Sequence, residues 1–150
     1  MDQPLQDVLQ VHCYGCGALN AHGLHIKSRW DRDDLLCNWQ PEAYQIGHPG
    51  YVYGGTIASV VDCHCIWTAL AQYCRDTAHS LTEGPPAVAF VTGSLKVDYL
   101  RPIPIEGEMM LRAHVIEASE RKSIVACSVF HSGIERVTVQ VVAVRTKLGG

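Results

Sequence analysis

Residues 56–74 read TIASVVDCHCIWTALAQYC, without an internal glycine or proline, entered through Gly54 and Gly55 and left at Arg75. A stretch of that length and composition predicts an α-helix, with Thr56 available to help at its N-terminus. Apolar residues fall on nearly every side instead of along one stripe, so protein is expected to wrap most of the helix. The run is too short for a membrane span, and it carries Asp62 and His64. Asp62 is its only acid. An ionised carboxylate among Ile57, Val60, Val61, Ile66 and Leu70 is costly unless it is paired, hydrogen-bonded or put to use. Asp62 is therefore the first candidate for chemistry. The alternative is a core Asp satisfied by hydroxyls, by backbone donors or by His64.

Outward from the helix the pattern turns to strands. LHIKSRW (24–30) and LLCNWQ (35–40) read as two short strands joined by the polar hairpin turn DRDD. PEAYQIGHPGYVYGG (41–55) is a Pro- and Gly-rich approach to the helix, and EGPP (83–86) breaks the chain after it. Then follow AVAFVTGSLKVDYL (87–100), EMMLRAHVIEAS (108–119), RKSIVACSVFHS (121–132) and IERVTVQVVAVRTK (134–147), each rich in Val, Ile or aromatic residues with partial alternation. Their short separators favour an antiparallel meander. The layout is α+β, an antiparallel sheet of about six strands curled around one long central helix. One sheet cannot cover every side of such a helix, so self-association is expected.

The 150 residues predict a single domain over 1–150, and 47% hydrophobic content supports a real core. A net charge of -3 excludes the basic face a nucleic-acid binder needs, although Arg101, Arg121 and Lys122 are candidates for a small local anion site, the plainer reading being solvated surface. MDQPLQDVLQ at the start has no long apolar core, so no secretory signal is visible and the cytosol is the expected compartment. The seven cysteines then read as reduced thiols, with Cys63, Cys65 and Cys74 as small core residues. Cys13 and Cys16 followed by His22 and His25 have a gap too short for ordinary zinc-finger spacing, and no metal or other cofactor is expected.

Three segments resemble the hotdog-fold acyl-CoA thioesterases, in particular the phenylacetic-acid-type (PaaI-like) branch. CYGCGALNAHGL (13–24) is similar to the family's Cys-x-x-Cys-Gly, Asn, Gly-Leu opening. GYVYGGTIASVVD (50–62) is similar to its His-Gly-Gly followed at fixed spacing by an acidic helix residue. VTGSLKVDYLRPIPIEGE (91–108) is similar to its strand bearing Thr or Ser, then an aromatic-x-Arg-Pro-x-Pro turn. The resemblance implies a hotdog fold, a coenzyme A thioester as substrate, and a structural loop at Cys13–Leu24. Tyr53 stands where the family has His, which keeps open a second reading, a non-catalytic dimeric domain that binds acyl thioesters.

Thioester hydrolysis needs a stabilised oxyanion and a base or nucleophile. Gly54 and Gly55 suit the oxyanion, because without Cβ they let a carbonyl oxygen approach the N–H groups of a helix N-terminus. The plainer reading is a tight loop-to-helix junction. Asp62 suits the other requirement, as general base or as a nucleophile forming a mixed anhydride. By resemblance Thr92 helps place water or the carboxylate, and His48, near Tyr53, touches substrate. Ser94, two residues beyond Thr92, is expected on the same face. Arg101, Arg121 and Lys122 are candidates for the phosphates of coenzyme A. Gly55 and Asp62 lie about 10 Å apart along one helix at about 1.5 Å per residue, too far for one carbonyl to bridge. The site is therefore expected to be shared between two copies of the chain, in a homodimer or a tetramer.

Overall fold

The computed structural model describes residues 3–147. A four-residue helix α1 (Leu5–Val8) precedes strands β1 (Ser28–Asp31) and β2 (Asp34–Trp39). The long helix α2 (Gly54–Asp76) follows, then a 3-10 turn at Leu81–Glu83 and strands β3 (Val88–Tyr99), β4 (Met109–Ala118), β5 (Lys122–His131) and β6 (Ile134–Lys147). All six strands form one antiparallel sheet in the order β1-β2-β4-β5-β6-β3. The two short strands, the helix and the four longer strands thus sit within a few residues of their predicted places.

Local chemistry sets the turns. Asp31 pairs with Asp34 across Arg32 and Asp33, with Arg32 in the left-handed region at φ 59°. His131 pairs with Ile134 across Ser132 and Gly133, both at positive φ, which matches the right-handed twist of a tight hairpin. The expected meander holds only for β4, β5 and β6. The segment between β3 and β4, with Pro102 and Pro104, is too long and too stiff for a tight hairpin. It carries the chain across, so that β4 joins β2 and β3 becomes the far edge beside β6.

Alternation then builds the core. Val125, Cys127 and Val129 of β5 and Val137, Val139, Val141 and Ala143 of β6 are buried, with less buried residues between them. Against this surface α2 lays Ile57, Val60, Val61, His64, Cys65 and Thr68. Each fully buried Val or Ile contributes roughly 1.5–3 kcal/mol relative to exposure.

One expectation about α2 needs correction. Its N-cap is Tyr53 and no side chain caps it, so Thr56 lies inside the first turn without that role. One sheet leaves part of the helix open, as its apolar sequence implies: Gly55 and Ser59 are exposed, and Asp62 and Ile66 are only half-buried. These positions follow helical spacing, so they form one stripe that this chain leaves uncovered, alongside the edge strand β3. No helix among the described residues is long and apolar enough to cross a membrane.

Candidate functional site

Asp62 is on the third turn of α2, half-buried, with its Oδ1 accepting a 2.6 Å hydrogen bond from the hydroxyl of Thr92 on β3. Ile57, Val60 and Val61, expected to enclose the carboxylate, point into the sheet instead. Burial is thus less severe than the apolar sequence implies. Nor does His64 pair with Asp62. Two positions along a helix turn the side chain by about 200°, which sends His64 into the core. There its Nε2–H donates to the Leu35 carbonyl at 2.9 Å, and its Nδ1 accepts from the Ser28 hydroxyl at 2.8 Å. Ser28 in turn accepts from Gln6 Nε2 at 2.8 Å, and its N–H donates to Gln6 Oε1 at 2.6 Å. Burial lowers the His64 pKa to about 4, with the bond to the Leu35 carbonyl opposing that shift.

At the N-terminus of α2 the N–H groups of Gly54 and Gly55 have no hydrogen-bond acceptor among the described residues. The Gly54 carbonyl accepts from Tyr99 Oη of β3 at 2.7 Å. The exposed Tyr53 ring lies against this tip: a Cβ on Gly55 would stand 2.6 Å from Tyr53 Cε2. Strand β3 thus touches α2 at two points, Thr92 at Asp62 and Tyr99 at Gly54. His48 is exposed in the preceding loop, its carbonyl closing a turn with the Tyr51 N–H.

Ser94 does not share the face of Thr92. Thr92 pairs with Ala143 and Ser94 with Val142, leaving Gly93 as an extra residue in the strand. This bulge reverses the alternation: Thr92 faces the helix with buried Ala143, and Ser94 faces outward. Glycine is needed because a Cβ at 93 would stand 2.6 Å from Val144 Cγ2. An isolated glycine inside a strand pattern is the signal that marks such a bulge.

The three cations are also apart within one chain. Arg101 donates its N–H to the Arg136 carbonyl at 3.0 Å, whereas Lys122 pairs with Val144, and Arg121 accepts from the Arg145 N–H. Positions 136 and 144 of β6 are separated by about 26 Å at about 3.3 Å per residue. Arg101 therefore sits at the Gly54 end of β3, and Arg121 and Lys122 at the Thr92 end.

Sequence reasoning missed one cluster. The sulfurs of Cys13, Cys16 and Cys63 lie within 4.8 Å of one another, with Cys13 Sγ and Cys63 Sγ at 3.7 Å. Cys65 and Cys74 are core residues as expected, but Cys63 turns toward the N-terminal loop. That loop closes tightly on α2 at Gly15, where a Cβ would overlap Cys63 Sγ. Neither His22 nor His25 belongs to the cluster; His25 Nε2 instead donates to the Asn20 carbonyl at 2.5 Å. The Cys63 thiol and then the Trp67 N–H, 3.1 Å away, hydrogen-bond Cys16 and lower its pKa to about 6. No local signal links Cys63 to Cys13, since the contact spans fifty positions of sequence. All seven cysteines are free thiols.

A cavity of about 390 Å³ opens at the other end of the helix, between Leu5, Val8, Trp30, Cys74 and Leu81, away from Asp62 and Gly55. A family model described as the thioesterase superfamily matches residues 49–138. Acyl-coenzyme A thioesterase THEM4 of Rattus norvegicus is 26% identical over 114 residues, which is 76% of this chain and 43% of that protein. The Xenopus laevis protein of the same name is 28% identical over 99 residues, 63% of this chain and 36% of that one. The chain therefore spans less than half the length of these curated relatives. A solved thioesterase superfamily protein from Shewanella loihica PV-4 has 32% identity and a TM-score of 0.65, covering 83% of this chain and 94% of that one.

Proposed function

Because the chain belongs to the thioesterase superfamily, we propose that it is an acyl-CoA thioesterase of the PaaI-like branch, with active sites shared between two copies. The observation that carries this reading is the Asp62–Thr92 pair. One carboxylate oxygen is held by a hydroxyl on a helix face that the chain leaves uncovered, so the other oxygen is available to a reactant.

Acting as general base, Asp62 takes a proton from water as the new C–O bond forms at the thioester carbonyl. The oxyanion accepts from the unpaired N–H groups at Gly54 and Gly55 of a second copy, where the helix dipole favours negative charge. Collapse then breaks the C–S bond, and CoA leaves as a thiol once it regains a proton. Acting as nucleophile, Asp62 passes instead through a mixed anhydride that water opens. Single turnover in ¹⁸O-water separates the general base from an anhydride opened at its aspartyl carbon, since the base puts the label into the product acid whereas that opening puts it into Asp62 and releases unlabelled acid.

Several features support the shared site. Among the described residues strand β3 pairs only with β6, so its outer edge keeps a row of backbone donors and acceptors, and Val91, Leu95 and Tyr99 beside it are exposed. Two such edges related by a two-fold axis run antiparallel. That brings the Gly54 and Arg101 end of one copy beside the Asp62, Thr92, Arg121 and Lys122 end of the other. Cations separated in one chain then flank one site and suit the phosphates of coenzyme A. His48 and Tyr53 border its acyl side.

The test is hydrolysis of a panel of aliphatic and aryl CoA thioesters by wild type and Asp62→Asn, with sedimentation of the active species. Turnover by a monomer, or equal rates in the two proteins, would overturn the reading. Tyr53 lying over Gly55 favours a second reading, an acyl-thioester-binding dimer without turnover. Binding of CoA thioesters with hydrolysis of none identifies it.

A further inference from the structure

The cluster at Cys13, Cys16 and Cys63 lies outside the proposed acyl site and has no part in the thioester reaction. We propose that these three sulfurs form a binding site for a thiophilic divalent cation of the zinc class, with a fourth position open to water.

Geometry carries the assignment. Thiolates on a tetrahedral zinc lie about 2.3 Å from the metal, so their sulfurs must stand about 3.8 Å apart. The Cys13–Cys63 separation is 3.7 Å, and the third sulfur lies within 4.8 Å of both. Two of the three come from a Cys-x-x-Cys turn, the spacing that lets one short loop present two sulfurs to one ion. The third comes from a rigid helix, which pre-orders the triangle.

The surroundings fit a ligand set better than three idle thiols. The Trp67 indole N–H points at Cys16 Sγ from 3.1 Å, the outer hydrogen bond that orients a metal-bound thiolate. Cys16 is buried, Cys63 half-buried and Cys13 exposed, so the site has a sealed base and an open mouth through which an ion enters. A disulfide would join only two of the sulfurs and leave the third idle. Binding is not a redox step: the thiol protons pass to solvent as sulfur–metal bonds form. Three thiolates and one dication leave a charge of minus one, which a neutral water in the fourth position does not change. The ion would clasp the N-terminal loop to the turn of α2 that carries Asp62.

Metal analysis of tag-free, reduced protein equilibrated with micromolar zinc tests the site, with cobalt substitution as the spectroscopic arm. One zinc per chain is expected, with sulfur-to-cobalt charge-transfer absorption in the near ultraviolet. Cys63→Ser and Cys13→Ser should each weaken binding by at least about 100-fold, and Trp67→Phe by about 10-fold. His22→Ala and His25→Ala should bind as wild type does. Cys13 is exposed, so its substitution should leave the melting temperature of metal-free protein unchanged, which separates lost binding from lost folding. Fewer than about 0.1 zinc per chain, a missing charge-transfer band, or full affinity in Cys13→Ser would overturn the proposal. So would a disulfide mapped within the trio in protein that takes up no metal once reduced.

Discussion

Asp62 and His64 stand two positions apart on one helix and meet opposite surroundings. His64 is fully buried, both ring nitrogens are bonded, and the chain of donors closes through Ser28 onto Gln6. Asp62 is half-exposed, and its hydrogen bond comes from a hydroxyl on an edge strand. The more deeply buried ionisable group is therefore the structural one. A closed polar network commits all its bonding capacity to holding the fold together, whereas an acid with capacity left over can meet a reactant. Burial alone is a poor pointer to chemistry here.

The largest test of that contrast is Asp62→Asn. Its kcat/KM toward CoA thioesters should fall about 1,000-fold, the size expected when a positioned general base is lost, while the urea midpoint stays near wild type. A drop in stability with activity intact would invert the comparison.

His64→Gln should do the reverse and destabilise the protein without touching chemistry. The sign with pH follows from the lowered pKa of His64, about 4 in the fold against 6.5 when free. Between these values the unfolded chain binds more protons, so stability rises with pH. The wild type therefore loses about 3 kcal/mol of His64-linked stability from pH 7 to pH 4. The glutamine variant lacks that loss, and its stability deficit should narrow as the solution is acidified. Parallel urea curves at pH 7 and pH 4.5 give the measurement, and a constant gap would show that His64 does not titrate this way.

Thr92→Val removes the hydroxyl bonded to the carboxylate, worth about 2 kcal/mol or roughly 30-fold in kcat/KM. Thr92→Ser should restore most of the rate. Ser94→Ala, on the other face of β3, should leave the rate within about twofold of wild type. Equal losses at 92 and 94 would mean that the bulge does not sort the two side chains. Gly93→Ala is read in stability and not in rate, because the added methyl meets Val144. It should cost roughly 1 kcal/mol of stability, read from the thermal midpoint.

Much of this contrast is legible in the sequence. Alternation and turn chemistry locate the strands, and the glycine-free apolar run locates α2, because both signals are local. Asp62 and Thr92 stand out separately in the sequence and meet in space. What stays hidden depends on pairing between distant segments. The crossing of β3 to the far edge is decided by which strand can bury which face, and no local pattern encodes it. Arg101 reads as a neighbour of Arg121 because the sheet's dimensions are absent from linear spacing. Cys63 reads as core because helix composition does not say which side the N-terminal loop covers. The expected depth of Asp62 fails for a related reason: an apolar helix announces that it will be covered, and not by which chain.

Gly93 has a consequence for the architecture as a matter of parity. Thr92 and Tyr99 are an odd number of positions apart, so an uninterrupted strand would aim them at opposite sides, yet both reach the same helix. One inserted residue shifts the phase once and lets a single strand lash the helix at two points. Deleting Gly93 would restore a flawless two-beat rhythm, and one of the two lashings would be lost with it.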